Sequence, residues 1–327
     1  MKAIVVEGFG PTDFMKYAEV DIPSIAPNQV LIKVKATSVN FADIKSRRGE
    51  KGEGKLPFIP GLEAAGVVEA VGESVTSIVP GQRVIAFPHQ GSYAEYAAAD
   101  ESLTFPVPDG LDLVAAGGYG IVSFLSYQLL ADVARLQSGE TVLIHSAAGG
   151  VGSTAIQIAK ALGASNVIGT VGAENKIEAA KMAGADEVVC YETEDLAAKI
   201  AELTGGAGAD VILDSLGGDM TNKSLSCLAP FGRLVVFGNS SGSYSGLQTK
   251  DLHASCRSVL GFSFGTTRKK RPERLHQTAA EVFKLIESGK LEVAIHRTFP
   301  LQEAASAHQW VESRQSTGKV LLVMDNE

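Results

Sequence analysis

The run Ala147-Ala148-Gly149-Gly150-Val151-Gly152 follows a short apolar segment, Val142 to Ile144, and leads into an apolar stretch beginning near Ser153. A strand, a tight glycine turn and a helix in that order bring free backbone N–H groups and the positive end of a helix dipole to one point. No side chain then blocks an approaching pyrophosphate. Gly149 and Gly150 permit that approach, and Gly152 permits close packing of the helix on the sheet. A dinucleotide site on Ala148, Gly149, Gly150, Val151 and Gly152 is therefore expected, because the glycines stand between a strand and a helix and not in an isolated turn.

Sites that prefer NAD usually carry an acid about 20 residues further on, where it binds the ribose 2′-hydroxyl. Here that region reads Gly169-Thr170-Val171-Gly172, with no carboxylate. Glu174 suits the first turn of a helix, where the dipole favours an acid. Lys176 follows two residues later, so the local chemistry suits a 2′-phosphate, and NADPH is the expected cofactor, with Thr170 and Gly172 beside it and Lys176 on the phosphate. The plain alternative for Lys176 is an exposed helix lysine.

Other patterns carry less. Gly238-Asn239-Ser240-Ser241-Gly242 matches the nucleophile elbow of serine hydrolases, but the elbow requires a helix directly afterwards and Ser243-Tyr244-Ser245-Gly246 reads as loop. Ser240 is rejected as a nucleophile. Gly238, Asn239 and Ser240 are assigned instead to the cofactor crevice at the end of a sheet strand. The six histidines, His89, His145, His253, His276, His296 and His308, show no pair at metal-ligand spacing, and no metal site is expected. His145, at the tip of a strand, reads as a packed, hydrogen-bonded residue beside the cofactor. The basic run Arg268-Lys269-Lys270-Arg271 lies in a chain of net charge −8 and reads as solvated surface, with nucleic-acid contact disfavoured.

The elements that must position these groups follow from the apolar runs. In the second half these begin at Val142, Val167, Val188, Val211, Leu234 and Val259, spaced 21 to 25 residues apart, the rhythm of parallel strands joined by crossover helices. The fold class is α/β, with a doubly wound parallel sheet of six strands. The first 120 or so residues read as short alternating strands, such as Val30, Ile32 and Val34, broken by Ile59-Pro60-Gly61 and Val79-Pro80-Gly81, hence antiparallel and barrel-like. After these come helices near 272–288 and 302–313 and a terminal strand Val320 to Met324, expected to fold back on the first domain. The domain assignment is 1–123 with 266–327, and 124–265 for the dinucleotide-binding domain.

Composition agrees with two packed cores. Of 327 residues, 45% are hydrophobic and 20% charged, which excludes global disorder. Three scattered cysteines, Cys190, Cys227 and Cys256, support neither a disulfide framework nor a zinc knuckle. With an uninterrupted apolar run of only four residues, Ala3 to Val6, before the acid Glu7, the start lacks a signal peptide's core, so a cytoplasmic protein is expected. The two uncharged stretches of 19 residues, from Leu113 and from Thr141, hold too many glycines and polar residues for membrane spans.

Together these stretches resemble a family. Ser38-Val39-Asn40-Phe41-Ala42-Asp43, Pro60-Gly61-Leu62-Glu63-Ala64-Ala65-Gly66, Val71-Gly72 through Val84, Gly91-Ser92-Tyr93-Ala94-Glu95-Tyr96, the glycine cradle, Asp214-Ser215-Leu216-Gly217 and Phe237 to Gly242 are similar to the zinc-independent quinone oxidoreductases, the zeta-crystallin-like group of the medium-chain dehydrogenase/reductase superfamily. The resemblance implies a GroES-like, mostly-β catalytic domain, a Rossmann domain, NADPH, and a homodimer joined through the Rossmann sheets. It implies that Asn40 and Leu62 stand where zinc-containing relatives place a Cys and a His. It implies Lys176, Tyr191 and Arg314 around the 2′-phosphate, Asn239 at the nicotinamide and Ser215 in the same crevice. The chain departs from it where many members have a Tyr, at Ile44-Lys45-Ser46, and where a family Thr appears as Phe124 ahead of Tyr127.

Nicotinamide chemistry delivers a hydride, and without a metal to polarise a carbonyl the good acceptors are already electron-poor: quinones, or alkenes conjugated to a carbonyl. Asn40 is expected to hold the acceptor oxygen as negative charge develops, Asp43 to act there or to orient the loop, and Tyr127 or solvent to give the final proton. The competing readings are an NADPH-dependent alkenal, enone or enoyl reductase and, from another class, an NADPH-binding regulatory or RNA-associated protein.

Overall fold

The computed structural model describes residues 1–51, 55–88 and 91–324; of the six histidines, His89 lies outside the described residues. Two compact units emerge, the first formed by Met1–Val122, Lys270–Phe283 and Ile295–Glu327, the second by Ser123–Lys269 and Lys284–Ala294.

The second unit holds six parallel strands in the order Glu187–Cys190, Asn166–Val171, Thr141–Ile144, Ala209–Asp214, Leu228–Val236 and Ser258–Gly261. Numbered along the chain this is 3-2-1-4-5-6, the Rossmann arrangement. Each strand carries at least two successive residues drawn from Val, Ile and Leu, because helices cover both faces of such a sheet. Leu143, Ile168, Val189, Ile212 and Leu234 form its core with Leu196, Ile200 and Leu225 from the connecting helices. The helix Gly150–Ala161 carries the cradle into the sheet, with Ala155, Ile156, Ile158 and Ala159 buried. Residues 284–294 belong to this unit, where both ends of the Gln157 amide hold the backbone of Glu292.

The first unit is built on a seven-stranded sheet. Gln29–Ser38 pairs with Lys319–Val323 and Tyr96–Asp100 and, along its length, with Ala64–Val71, which leads on to Arg83–Ala86 and Thr104–Pro106, all antiparallel. Val30, Ile32 and Val34 are buried and Lys33 between them is exposed, the alternation of a strand with one wet face. Lys2–Val6 and Met15–Glu19 make a separate pair. The first 120 residues pair antiparallel throughout, as expected, and the tail adds a strand that was not expected: Ile295–Pro300, which lies parallel to Lys319–Val323. Its first four residues are exposed, so this strand shows no apolar alternation to betray it. The expected tail helices are Arg274–Glu287 and Ala304–Glu312. Among the described residues no helix is long and apolar enough to cross a membrane.

Candidate active site

In the second unit every predicted cofactor residue but Arg314 lies in or just beyond the C-terminal end of a parallel strand, the edge at which such sheets bind ligands. After Thr141–Ile144 the chain turns through Ser146, which takes a left-handed φ of 55° and accepts the N–H of Gly149 at 2.9 Å. Gly149 is the N-cap of the helix Gly150–Ala161 and no side chain caps it. The N–H groups of Gly150, Val151 and Gly152 therefore meet no capping side chain, the donor set an anion needs. A Cβ on Gly152 would stand 2.2 Å from the Ser146 carbonyl oxygen, so only glycine lets the helix start this close to the strand. These residues fit the pyrophosphate of a dinucleotide.

Two further loops close on the same edge. Asp214 is fully buried and its carboxylate accepts the N–H groups of Leu216 (2.8 Å) and Gly217 (3.0 Å) and the hydroxyl of Thr221. That fixes Ser215 to Gly217, and the N–H groups of Ser240 and Ser241 then bond the carbonyls of Ser215 and Leu216. A Cβ on Gly238 would come 2.7 Å from the Ser215 carbonyl, and one on Gly217 would come 3.1 Å from Asn239 Oδ1, so the two loops are in close contact. No helix follows Ser240 until Lys250–His253, as a cofactor loop and not a nucleophile elbow requires.

At the end of the second strand Gly172 is exposed, and the space where its Cβ would go lies 2.6 Å from the Tyr191 hydroxyl. Lys176 closes the short helical turn Glu174–Lys176 just beyond. Thr170 is corrected: it is fully buried, and its hydroxyl pairs with His145 Nδ1 at 2.8 Å, so its side chain is not available to a cofactor. His145 Nε2 pairs with Ser224 at 2.7 Å, which makes this histidine the packed, hydrogen-bonded residue expected. Tyr127 ends the helix Gly120–Tyr127, half-buried, and the chain continues as a π-helix over Gln128–Val133.

The first unit holds Arg314, on an exposed turn with φ 58°, and a polar cluster around Asn40. Strand register builds the cluster. Leu321 pairs with Ser38, and Val39 N–H bonds Val320 O, so continuing the antiparallel ladder sets Lys319 opposite Asn40. Ala36 pairs with Ala65, and the same count sets Ser38 opposite Glu63. Asn40 then caps the helix Phe41–Arg47, and its backbone N–H donates to Asp43 at 2.8 Å. Asp43 is buried, with its carboxylate on the Asn40 backbone N–H. Lys319 and Glu63 form a buried ion pair at 3.2 Å, and both bond the Asn40 side chain. The sequence reading missed Lys319 and took Glu63 only as part of a motif. The one available signal was a lysine at the head of an otherwise apolar strand. Among the described residues no three His, Cys, Asp or Glu side chains gather as metal ligands would.

Burial sets the protonation of three groups. Asp43 is raised to about 6, first by desolvation, with the Asn40 N–H, Lys51 and Lys319 opposing. His145 is lowered to about 4 and His308 to about 3, each chiefly by burial; His308 bonds the Tyr93 hydroxyl at 3.1 Å and feels the Arg47 charge. The signs differ. A folded-state pKa below the unfolded value in a histidine means the unfolded chain binds the proton first, so stability falls as pH drops below about 6.5. Asp43, with its pKa raised, acts in the opposite sense between about 4 and 6. Two histidines outweigh one aspartate, and urea midpoints are expected to fall from pH 6.5 to 4.5. His308→Gln, which keeps a partner for Tyr93, is expected to flatten that limb; an unchanged slope would remove His308 as a contributor.

The chain's relatives agree with this layout. The alcohol dehydrogenase GroES-like domain model matches residues 26–109 and the zinc-binding dehydrogenase model residues 150–284. A quinone oxidoreductase of Pseudomonas aeruginosa is 37% identical, over 98% of this chain and 99% of its own. A 2-haloacrylate reductase of a Burkholderia species is 35% identical, over 99% of this chain and 98% of its own. The crystal structure of Escherichia coli quinone oxidoreductase complexed with NADPH superimposes with a TM-score of 0.92 at 34% identity, covering 99% of this chain and 100% of that one.

Proposed function

Because this chain belongs to the zinc-independent quinone oxidoreductases of the medium-chain dehydrogenase/reductase superfamily, we propose that it uses NADPH to reduce a quinone or a similar electron-poor acceptor. The observation that carries this reading is the glycine cradle on an uncapped helix N-terminus, with Lys176 and Tyr191 and no carboxylate in the segment Gly169 to Gly172. When bound, NADPH supplies a hydride to the acceptor. The chain's own residues do the rest. Backbone N–H groups of Gly150, Val151 and Gly152 receive the pyrophosphate, with Ala148 and Gly149 keeping its approach clear; Ser215, Gly238 and Ser240 shape the crevice wall; Asn239 meets the nicotinamide; Lys176 and Tyr191 meet the 2′-phosphate. Asn40 donates to the acceptor oxygen as charge builds on it, and Tyr127 or solvent returns the proton.

The test is steady-state consumption of NADPH with 1,4-benzoquinone, 9,10-phenanthrenequinone and 2-alkenals. Turnover with the quinones is expected, and no consumption with any acceptor would end the reading. The 2-haloacrylate reductase relative favours a second reading, reduction of a carbon–carbon double bond conjugated to a carbonyl group; turnover with the alkenals alone would select it. Lys176→Ala is expected to weaken NADPH by about 1–3 kcal/mol, roughly 5- to 150-fold, and leave NADH nearly unchanged. An equal loss for both cofactors would take Lys176 off the phosphate.

We also infer a cytoplasmic homodimer. Among the described residues, strand Ser258–Gly261 has a sheet neighbour on one side only, and it has no buried residue, an open edge that a second copy can extend by two-fold symmetry. Sedimentation at micromolar concentration should give twice the chain mass; a single-chain mass would refute the dimer.

A further inference from the structure

Lys319 is 3% exposed and Glu63 is 1% exposed, and the ammonium and carboxylate meet at 3.2 Å. Such a pair is costly to bury, and apolar residues of similar volume would often serve stability as well or better. Its geometry gives it another use. Lys319 Nζ donates to Asn40 Oδ1 at 2.8 Å, while Asn40 Nδ2 donates to Glu63 Oε1 at 2.9 Å. An ammonium can only donate, so it pairs with the oxygen end of an amide, and a carboxylate can only accept, so it pairs with the nitrogen end; the Asn40 side chain therefore has one orientation, since turning it over would break both bonds and set like poles together.

The pair is itself clamped. The Ser38 hydroxyl donates to Glu63 Oε1, the Ile121 N–H donates to Oε2 at 2.6 Å, and the Thr37 hydroxyl holds the Glu63 carbonyl at 2.6 Å. Ser38 Oγ, 3.4 Å from Asn40 Nδ2, is hydrogen-bonded to that same Glu63 oxygen, so the two acceptors share one amide hydrogen. The second hydrogen on Nδ2 points away from them, on a residue that is half-buried while both its ionic partners are buried.

We propose that Lys319 and Glu63 are positioning residues that lock the Asn40 amide with one N–H turned outward, polarised by the ammonium on its oxygen, to donate to the acceptor oxygen that gains negative charge. The inference rests on the quinone-reductase reading above and names the device that makes Asn40 a donor there. Lys319→Met is expected to lower kcat about 10- to 100-fold with little change in KM for NADPH. The loss is largest for acceptors that hold negative charge poorly, such as 2-alkenals, and smallest for 1,4-benzoquinone. Lys319→Arg, which keeps a cation at the amide oxygen, restores most of it.

Lys319→Met leaves a buried carboxylate unpaired, so the double variant Glu63→Gln with Lys319→Met provides a neutral replacement that keeps the fold testable. A second readout needs no cofactor: the Asn40 side-chain amide protons in nitrogen-15-labelled protein. In the wild type they are expected to be widely separated and slow to exchange with solvent. In the double variant they should move toward the positions of a free amide and exchange at least 10-fold faster. Unmoved amide signals, or a rate loss equal for all acceptors, would overturn the proposal. If the wild type reduces no acceptor, the enzymatic reading fails while the amide signals still report on the clamp.

Discussion

Asn40→Ala is expected to lower kcat about 100- to 1,000-fold while NADPH affinity stays within about two-fold. Reduction by hydride puts a full negative charge on the acceptor before a proton arrives, and a fixed N–H aimed at that oxygen stabilises it without reorganising at the moment of reaction. Asn40 can do this because its backbone and side chain are fixed separately. Asp43 holds its N–H at 2.8 Å, and the Lys319–Glu63 pair holds its amide. Truncation to alanine removes only the amide: Lys319 and Glu63 remain 3.2 Å apart and still satisfy one another, so the fold should survive. Asn40→Asp sharpens the test. It keeps the shape but replaces the donor with a second carboxylate beside Glu63, and its kcat should fall at least as far at neutral pH. Stopped-flow oxidation of bound NADPH isolates the hydride step from product release. A rate within about three-fold of wild type in Asn40→Ala would place the donor elsewhere.

What could be read from the sequence divides along contact range. The six parallel strands were legible because each is a contiguous apolar run, and the cradle because its glycines, strand and helix are neighbours in the chain. The Asn40 clamp was not legible. Lys319 and Glu63 lie 256 positions apart and meet only through the register of two different strand pairs, each of which a one-residue slip would undo. A charged residue at a strand end also reads as exposed by default, whereas this one is buried because a carboxylate waits for it. Thr170 failed for a related reason. Its place beside the cradle was evident, but both faces of this strand are buried, and its hydroxyl is taken up by His145, 25 positions away at the end of the neighbouring strand. The edge strand Ile295–Pro300 escaped notice because solvent on its outer side leaves no apolar pattern.

Gly152→Ala is expected to destabilise the protein by about 1–3 kcal/mol, lower Tm by several degrees and weaken NADPH at least 10-fold. The sign is informative, since alanine at an unconstrained helix position would stabilise by about 0.5–1 kcal/mol relative to glycine. Here the added methyl would meet the Ser146 carbonyl oxygen at 2.2 Å, Ala147 Cα at 2.7 Å and Ser146 C at 2.8 Å, all of them backbone. No side-chain rotation can relieve that contact, so the helix must shift away from the strand, carrying its N-terminal N–H groups with it. Gly149→Ala is the control for the cradle alone. Its methyl would meet only Ser146 O, at 3.3 Å, and φ at this position is −81°, which alanine adopts freely. Gly149→Ala should therefore leave Tm within about two degrees while the methyl, standing where the pyrophosphate approaches, still weakens NADPH. Calorimetry with and without NADPH separates the two effects. If Gly152→Ala raised Tm, helix propensity would have outweighed the backbone contact, and the close packing of helix on strand would not be what requires glycine here.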